Sequence, residues 1–219
     1  MPDSAAGSPP DQRGAPVRLR RGDPSDAPVV AALHHELIAE GFLSSLGPRF
    51  LRRLYRRVAL SGDSFLLVAE VDAVPVGFIA GSVSLGRLYR RFIVRDGVAA
   101  ALGSARQLLG AWRRALETLR HGGEGGAGAP AAELLAVAVA PAWRGRGVGA
   151  RLVTGFLAEV AAMAGDASRV VVGAENATAI AMYRRAGFTA ARTFELHPGT
   201  TSLLMEHGGA GTGARPAAP

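Results

Sequence analysis

The chain has 219 residues, 48% of them hydrophobic, which is enough for one domain with one good core but hardly for two. It contains no cysteine, which excludes disulfides and thiolate metal sites, and its five scattered histidines lead us to expect no metal. The formal net charge is +7, and no lysine occurs, so arginine carries the positive charge; a basic surface favours an acidic substrate, a nucleic acid or an anionic membrane.

Both ends of the chain are rich in glycine, proline and alanine and lack hydrophobic periodicity. We expect residues 1–15 and 208–219 to be disordered tails and residues 16–207 to form the domain. The N-terminal stretch has no apolar core of signal-peptide length, and no later run reaches the roughly 18 apolar residues of a membrane span. A cytoplasmic location is therefore expected.

The first part of the domain predicts a strand, two helices and a hairpin. Val17–Gly22 reads as a strand, and the helix after it runs to about Glu40. A second helix over Arg49–Leu60 has apolar residues at helical spacing and arginines on its other face. Two apolar runs within residues 64–84, joined by a turn at 72–74, predict an antiparallel hairpin.

Residues 85–120 predict a helical insert, which a glycine-rich linker over 121–130 follows. The insert carries eight arginines against two acidic residues, a local charge of +6. Three interpretations remain open: a lid or homodimer surface, a site for an anionic acceptor, or a peripheral membrane helix with Trp112 at the headgroups. We expect no nucleic acid partner, because stacking aromatics do not alternate with the arginines on the predicted strands.

The second part of the domain begins with a strand over Glu133–Val139 and a glycine-rich turn that opens a helix. Glycines at 145, 147 and 149 leave backbone N–H groups uncovered, and the helix start adds unpaired N–H groups and a positive dipole end. Such a turn suits an anion, above all phosphate. A strand over 169–174, a helix over Ala177–Arg185 and two final strands complete the prediction.

Two other phosphate-binding loops fit the turn less well. A Walker A loop requires a lysine, which this chain lacks. A dinucleotide-binding loop matches Gly145, Gly147 and Ala150, but its first glycine should follow the strand closely, whereas Pro141, Ala142, Trp143 and Arg144 intervene here. The roughly 70 residues that follow are also too few for the rest of a doubly wound domain.

Two segments together resemble the signatures of the GNAT N-acetyltransferase superfamily. The segment VAPAWRGRGVGARL is similar to motif A, with Arg144, Gly147 and Gly149 at the motif positions. The segment ENATAIAMYRRAGF is similar to the second signature, which it matches at Asn176, Ala179, Tyr183, Gly187 and Phe188. The resemblance implies an α/β (α+β) fold with a central, mixed, mostly antiparallel sheet that splays between strands 4 and 5 and is flanked by helices. The helical insert between strands 3 and 4 is longer than the usual link there.

The resemblance also implies acetyl-CoA as co-substrate, with no metal. Its pyrophosphate would bind the N–H groups of Arg144, Gly145, Arg146, Gly147, Val148, Gly149 and Ala150, where larger side chains at 147 or 149 would block its approach. The pantetheine arm would pair with backbone near Val137 and Val139. Asn176 would cap the helix on which the small Ala179 leaves room for the cofactor.

The implied reaction is direct attack of a neutral amine on the thioester. Tyr183 is the predicted proton donor to the departing thiolate, and Glu133 the predicted base, with His34, His35 and Glu36 as a competing set. The acceptor expected is a small-molecule amine, an amino sugar among the candidates. A peptide or protein amine is the alternative, as is a non-catalytic CoA-binding or nucleic-acid-binding protein on the same fold.

Overall fold

A computed structural model describes residues 16–38, 43, 46–101, 132–197 and 200–208 of the chain. Within this part the chain forms seven strands: β1 (Arg18–Arg21), β2 (Ser64–Val71), β3 (Val74–Ser82), β4 (Ala132–Val139), β5 (Ser168–Gly173), β6 (Thr189–His197) and β7 (Thr200–His207). It also forms five α-helices: α1 (Ala27–Leu37), α2 (Gly47–Leu60), α3 (Leu85–Ala101), α4 (Val148–Ala164) and α5 (Ala177–Arg185). The predicted N-terminal tail, the linker and nearly all of the C-terminal tail lie outside the described residues.

The seven strands form one sheet in the order β1-β2-β3-β4-β5-β7-β6. Every neighbouring pair is antiparallel except β4 and β5, which run parallel. Those two strands pair only over residues 132–134 and 168–170, so in their described remainder they separate toward their carboxyl ends. The expectation of a mixed, mostly antiparallel sheet that splays between strands 4 and 5 is confirmed.

The predicted hairpin of β2 and β3 is present, and its turn contains two residues with an unusual backbone conformation. Asp72 and Ala73 have φ values of 48° and 63°, in the left-handed region that non-glycine residues rarely adopt. Two consecutive left-handed residues match the twist of a tight hairpin, which places Val71 opposite Val74. The register of the two strands shifts once, between Ala69 and Glu70.

The alternation of side chains along β2 and β3 gives the sheet two hydrophobic cores, one on each face. On the face covered by α4 and α5, the buried side chains include Phe65, Leu67, Ile79, Leu152 and Phe156. On the opposite face, covered by α1, α2 and α3, they include Leu51, Tyr55, Val58, Leu66 and Phe78. The two cores share the sheet, so the fold depends on both.

Helix α3 confirms the first half of the predicted insert, and residues 102–120 lie outside the described part. Leu88 and Phe92 are buried against the sheet and α2. Asp63 also anchors this helix, with carboxylate oxygens 3.4 Å from an Arg87 nitrogen and 2.7 Å from an Arg91 nitrogen. The first turns of α3 therefore have a fixed place beside β3.

Two helix boundaries differ slightly from prediction. Helix α1 ends at Leu37, while Glu40 lies outside the described residues. Helix α2 begins at Gly47 instead of Arg49. Proline is tolerated at position 48 because the N–H groups of a helix's first turn make no hydrogen bond within the helix. Among the helices of the described part, none is long and apolar enough to cross a membrane.

Candidate active site

The glycine-rich turn joins the separated end of β4 to α4. Gly145 and Gly147 have φ values of +72° and +76°, which side-chain-bearing residues rarely adopt. A Cβ atom added at either glycine would have no neighbour within 4 Å, so both positions face open space. The turn thus combines a backbone that requires glycine with room for a ligand against it.

Helix α4 follows Gly147 directly, and its first N–H groups have no acceptor within the helix. Of the two flanking arginines, Arg144 donates through Nε to the carbonyl oxygen of Val139 at 3.0 Å. Arg146 stacks its guanidinium over the ring of Trp143, 4.8 Å from the ring centroid. Both arginines are exposed at the turn. The positive end of the α4 dipole and the two guanidinium groups make the turn electropositive.

Gly149 serves a different purpose from the other two glycines of the turn. It lies inside α4, and a Cβ atom there would stand 2.9 Å from the sulfur of Met182 on α5. A glycine at 149 therefore lets α5 pack closely against α4. The sequence signal that singled out Gly149 for phosphate access did not foresee this contact.

Helix α5 is capped as predicted and carries Tyr183. The Asn176 side chain accepts a hydrogen bond from the N–H of Ala179 at 3.0 Å, and Gly187 follows the helix at a φ of +93°. The Tyr183 side chain is 3% exposed, with its ring 5.6 Å from that of Phe188. Burial raises the pKa of the Tyr183 phenol, which therefore stays protonated and able to donate.

Glu133 lies at the second of the three residue pairs that join β4 to β5, so it belongs to the paired part and not to the splay itself. The Nε and Nη2 atoms of its partner Arg169 both lie 2.9 Å from its Oε2 atom. Burial raises the pKa of the Glu133 carboxyl, and the Arg169 charge opposes that rise. The carboxylate is thus held within the paired part, one residue before the last pair of β4 and β5.

A β-bulge at Leu135 separates two parts of β4 that differ in which residues face α4. The register between β3 and β4 shifts between Ala80 and Gly81, which leaves Leu135 without a direct partner. Before the bulge Ala132 and Leu134 pack on the α4 side, whereas Val137 and Val139 do so after it. Strand alternation consequently places Glu133 on the face of α1, α2 and α3. Tyr183 packs on the α4 and α5 side, so the two predicted catalytic side chains approach the splay from opposite faces.

Three further titratable side chains lie on the Glu133 face. His34 is buried with Nδ1 2.5 Å from the Tyr55 hydroxyl, and burial, with a smaller effect of His35, lowers the pKa of His34 to about 4. Burial also raises the pKa of Tyr89 on α3, and the nearby Glu133 carboxylate raises it further. His34 is therefore neutral at pH 7 and hydrogen-bonded to Tyr55 within the core.

The other two members of the competing set, His35 and Glu36, are exposed on α1. Sequence reasoning missed Tyr89 and Arg169. Knowledge of the register between β4 and β5 would have identified Arg169 as the partner of Glu133. No local pattern distinguished Tyr89 from the other residues of the insert. Across the described ranges, no group of three or more His, Asp or Glu side chains is arranged to hold a metal ion.

Comparisons with known proteins agree with this geometry. The model of the acetyltransferase (GNAT) family matches residues 31–188. No curated protein matches the sequence significantly.

Solved structures share the fold at low identity. The ribosomal-protein-S18-alanine N-acetyltransferase of Escherichia coli is 14% identical, with a TM-score of 0.56 over 87% of this chain and 92% of that one. Ard1 of Thermoplasma volcanium is 19% identical, with a TM-score of 0.56 over 87% and 95%. NAA60 of Arabidopsis thaliana, solved in complex with acetyl-CoA, is 17% identical, with a TM-score of 0.55 over 87% and 97%.

The sheet opens between two parallel strands, with a glycine turn at the opening, as the resemblance to the GNAT superfamily implied. This chain belongs to the GNAT acetyltransferase family and is an N-acetyltransferase. The donor in this family is acetyl-CoA.

Proposed function

We propose that this enzyme transfers an acetyl group from acetyl-CoA to the primary amine of a small molecule at the splay between β4 and β5. The observation that carries the proposal is the position of the glycine turn. It directly continues the strand that separates from its neighbour, and α5 brings Tyr183 to the same side. A phosphate site and a proton donor therefore flank one opening in the sheet.

The residues present fit acetyl-CoA. The open space at Gly145 and Gly147 and the first N–H groups of α4 suit its pyrophosphate, and Arg144 and Arg146 add positive charge. The backbone of residues 135–139 has no β5 partner and would pair with the pantetheine amides beside Val137 and Val139. Acetyl-CoA supplies the activated thioester from which the amine takes the acetyl group.

The chain's own side chains would handle the protons. Glu133 would accept a proton from the ammonium form of the acceptor, directly or through water, because a buried carboxyl with a raised pKa is a stronger base than an exposed one. Tyr183 would donate its hydroxyl proton to the departing thiolate sulfur as the C–S bond breaks and the C–N bond forms. The nitrogen loses one further proton as it becomes an amide, and that proton would restore the Tyr183 hydroxyl through water.

A small polar acceptor is supported by the surroundings of Glu133. This half-buried carboxylate shares its face with Tyr89 and with the buried His34–Tyr55 pair, among otherwise apolar side chains. Hydroxyl and carboxylate groups in such a setting suit an amine that also carries hydroxyls, such as an amino sugar.

A peptide amine is the second candidate acceptor. It is favoured by the similarity to the E. coli enzyme, which is named for the alanine of a ribosomal protein. A cytoplasmic location and a homodimer remain predictions.

Calorimetric titration of acetyl-CoA into the purified protein tests the donor site. The wild type is expected to bind in the micromolar range and Gly147→Glu to lose binding, since a carboxylate would occupy the phosphate position. Gly47→Glu is the matched control, because Gly47, at the start of α2, also has a positive φ, +79°, and also faces open space. Equal losses of acetyl-CoA affinity in both variants, or no binding by the wild type, would contradict the proposed pyrophosphate site at the glycine turn.

A panel of amines tests the acceptor. Free and nucleotide-linked amino sugars are compared with a peptide that begins with alanine, and thiol release from acetyl-CoA is followed. Faster turnover of an amino sugar supports the proposal, and faster turnover of the peptide supports the second candidate. Acetyl-CoA binding without turnover of any amine would favour a non-catalytic CoA-binding protein.

A further inference from the structure

Helices α2 and α3 lie side by side and together expose a strongly basic surface. Neither α2 nor the first eleven residues of α3, 85–95, contain an acidic residue. We define the arginine face by six side chains that point away from the core: Arg49, Arg52, Arg53, Arg56, Arg90 and Arg95. Within the described residues none of the six takes part in an ion pair.

The arginine face differs from the neighbouring arginines that have a structural role. Arg87 and Arg91 are held by Asp63, and Arg91 also donates to the Ser61 hydroxyl at 3.1 Å. These contacts fix α3 to the domain. The six side chains of the arginine face have no ion pair within the described residues, so their charge is available to an external partner.

Large apolar side chains are exposed on the same surface. Val94 is 73% exposed, Leu60 52% and Ile93 38%. Val94 follows Arg90 by four residues on α3, and Leu60 follows Arg56 by four residues on α2, so each apolar side chain lies next to an arginine. Guanidinium groups and aliphatic side chains are therefore neighbours on the exposed side of each helix.

We propose that this face docks on an anionic lipid surface. Arginines would contact the lipid phosphates, and Leu60, Ile93 and Val94 would enter the boundary between headgroups and acyl chains. A nucleic acid duplex would use the arginines but not the exposed aliphatic side chains, and a single strand would be expected to meet exposed aromatic side chains for stacking. On α2 and on the described side chains of α3, the aromatic residues are buried or half-buried.

The position of the arginine face is compatible with catalysis on a membrane. Helices α2 and α3 cover one face of the sheet, and α4, which follows the glycine turn, covers the opposite face. Docking through α2 and α3 would thus leave the turn at Gly147 free for the donor. This proposal rests on the charge and exposure of the two helices and does not depend on the identity of the acceptor.

Flotation of the full chain with vesicles tests the proposal. The protein is expected to float with vesicles of phosphatidylcholine and phosphatidylserine but not with phosphatidylcholine alone. The triple variant Arg52→Glu, Arg56→Glu, Arg90→Glu should lower the bound fraction at least about tenfold. The control triple Arg18→Glu, Arg184→Glu, Arg185→Glu makes the same change in net charge at exposed sites elsewhere and should stay within about twofold of wild type.

A second variant separates the apolar contribution from charge. Val94→Ser keeps the net charge and removes the most exposed of the three aliphatic side chains, so bound protein should dissociate at lower salt than wild type. Thermal unfolding of every variant confirms that it is folded, and if the triple variant unfolds, the Val94→Ser comparison decides. Equal losses in both triple variants, no flotation of the wild type, or binding to a DNA or RNA duplex in preference to the vesicles would overturn the proposal.

Discussion

Tyr183 unites the features expected of a proton donor at the thioester. It is almost fully buried, and burial keeps its phenol protonated far above neutral pH. It is also held on a short helix whose two ends are fixed by Asn176 and Gly187. A residue that only packed in the core would need no hydroxyl. Removing the oxygen alone therefore distinguishes proton donation from core packing.

We predict that Tyr183→Phe lowers kcat at least about tenfold, because the departing thiolate loses its proton donor. Acetyl-CoA affinity should remain within about a few fold of wild type, since the ring and its packing against Phe188 are retained. Steady-state kinetics and calorimetry measure the two quantities. Weakened binding with unchanged turnover would refute proton donation.

Glu133 should give the enzyme a characteristic pH dependence. A base must be deprotonated to act, so activity should fall as the pH drops through the carboxyl pKa, which burial raises. Glu133→Gln should lower the rate and recover at high pH, where the acceptor amine is already neutral. The profile of kcat/KM against pH measures this, and a uniform loss across pH would instead indicate a positioning role.

Arg169→Gln provides the companion measurement for Glu133. Removing the guanidinium charge removes an interaction that lowers the pKa of the Glu133 carboxyl, so the acidic limb of the profile should move to higher pH. A limb that stays in place would show that another group titrates.

At the scale of the elements, the packing of α5 on α4 connects the start of α4 with Tyr183, because Gly149 on α4 lies against Met182 on α5. We predict that Gly149→Ala lowers kcat about threefold, because the new methyl group displaces Met182 and with it the adjacent Tyr183. Adding Met182→Ala should restore most of the loss, and a double-mutant cycle on kcat measures the coupling. If Gly149→Ala instead abolishes acetyl-CoA binding and Met182→Ala does not rescue it, Gly149 is needed for phosphate access.

At the scale of the molecule, the two cores are expected to unfold together, because they lie on opposite faces of β2 and β3. Phe156 belongs to one core and contacts Phe65, whereas Phe78 belongs to the other and contacts Tyr55. Phe156→Ala and Phe78→Ala should each reduce the free energy of unfolding by about 3–5 kcal/mol. Urea titrations followed by tryptophan fluorescence and by circular dichroism should give one coincident transition, and two separate transitions would contradict this prediction.

The sequence by itself determined the features that depend on a few neighbouring residues. The helix over Ala177–Arg185, its cap at Asn176 and the glycine after it were all predictable, since capping and left-handed φ values are local. The same holds for the hairpin at 72–74 and for the glycine turn before α4. The order of these elements, with the two motifs, also indicated the fold and the acetyltransferase class.

Only the tertiary structure decided which distant residues meet. The pairing of Glu133 with Arg169 depends on the register of two parallel strands, and which residues of β4 face α4 depends on the bulge at Leu135. Likewise, the arginine face exists because α3 packs beside α2, and Tyr89 approaches Glu133 because Asp63 and two buried side chains fix α3. Such contacts follow from register and packing between segments far apart in the chain, and residue patterns a few positions long carry no information about either.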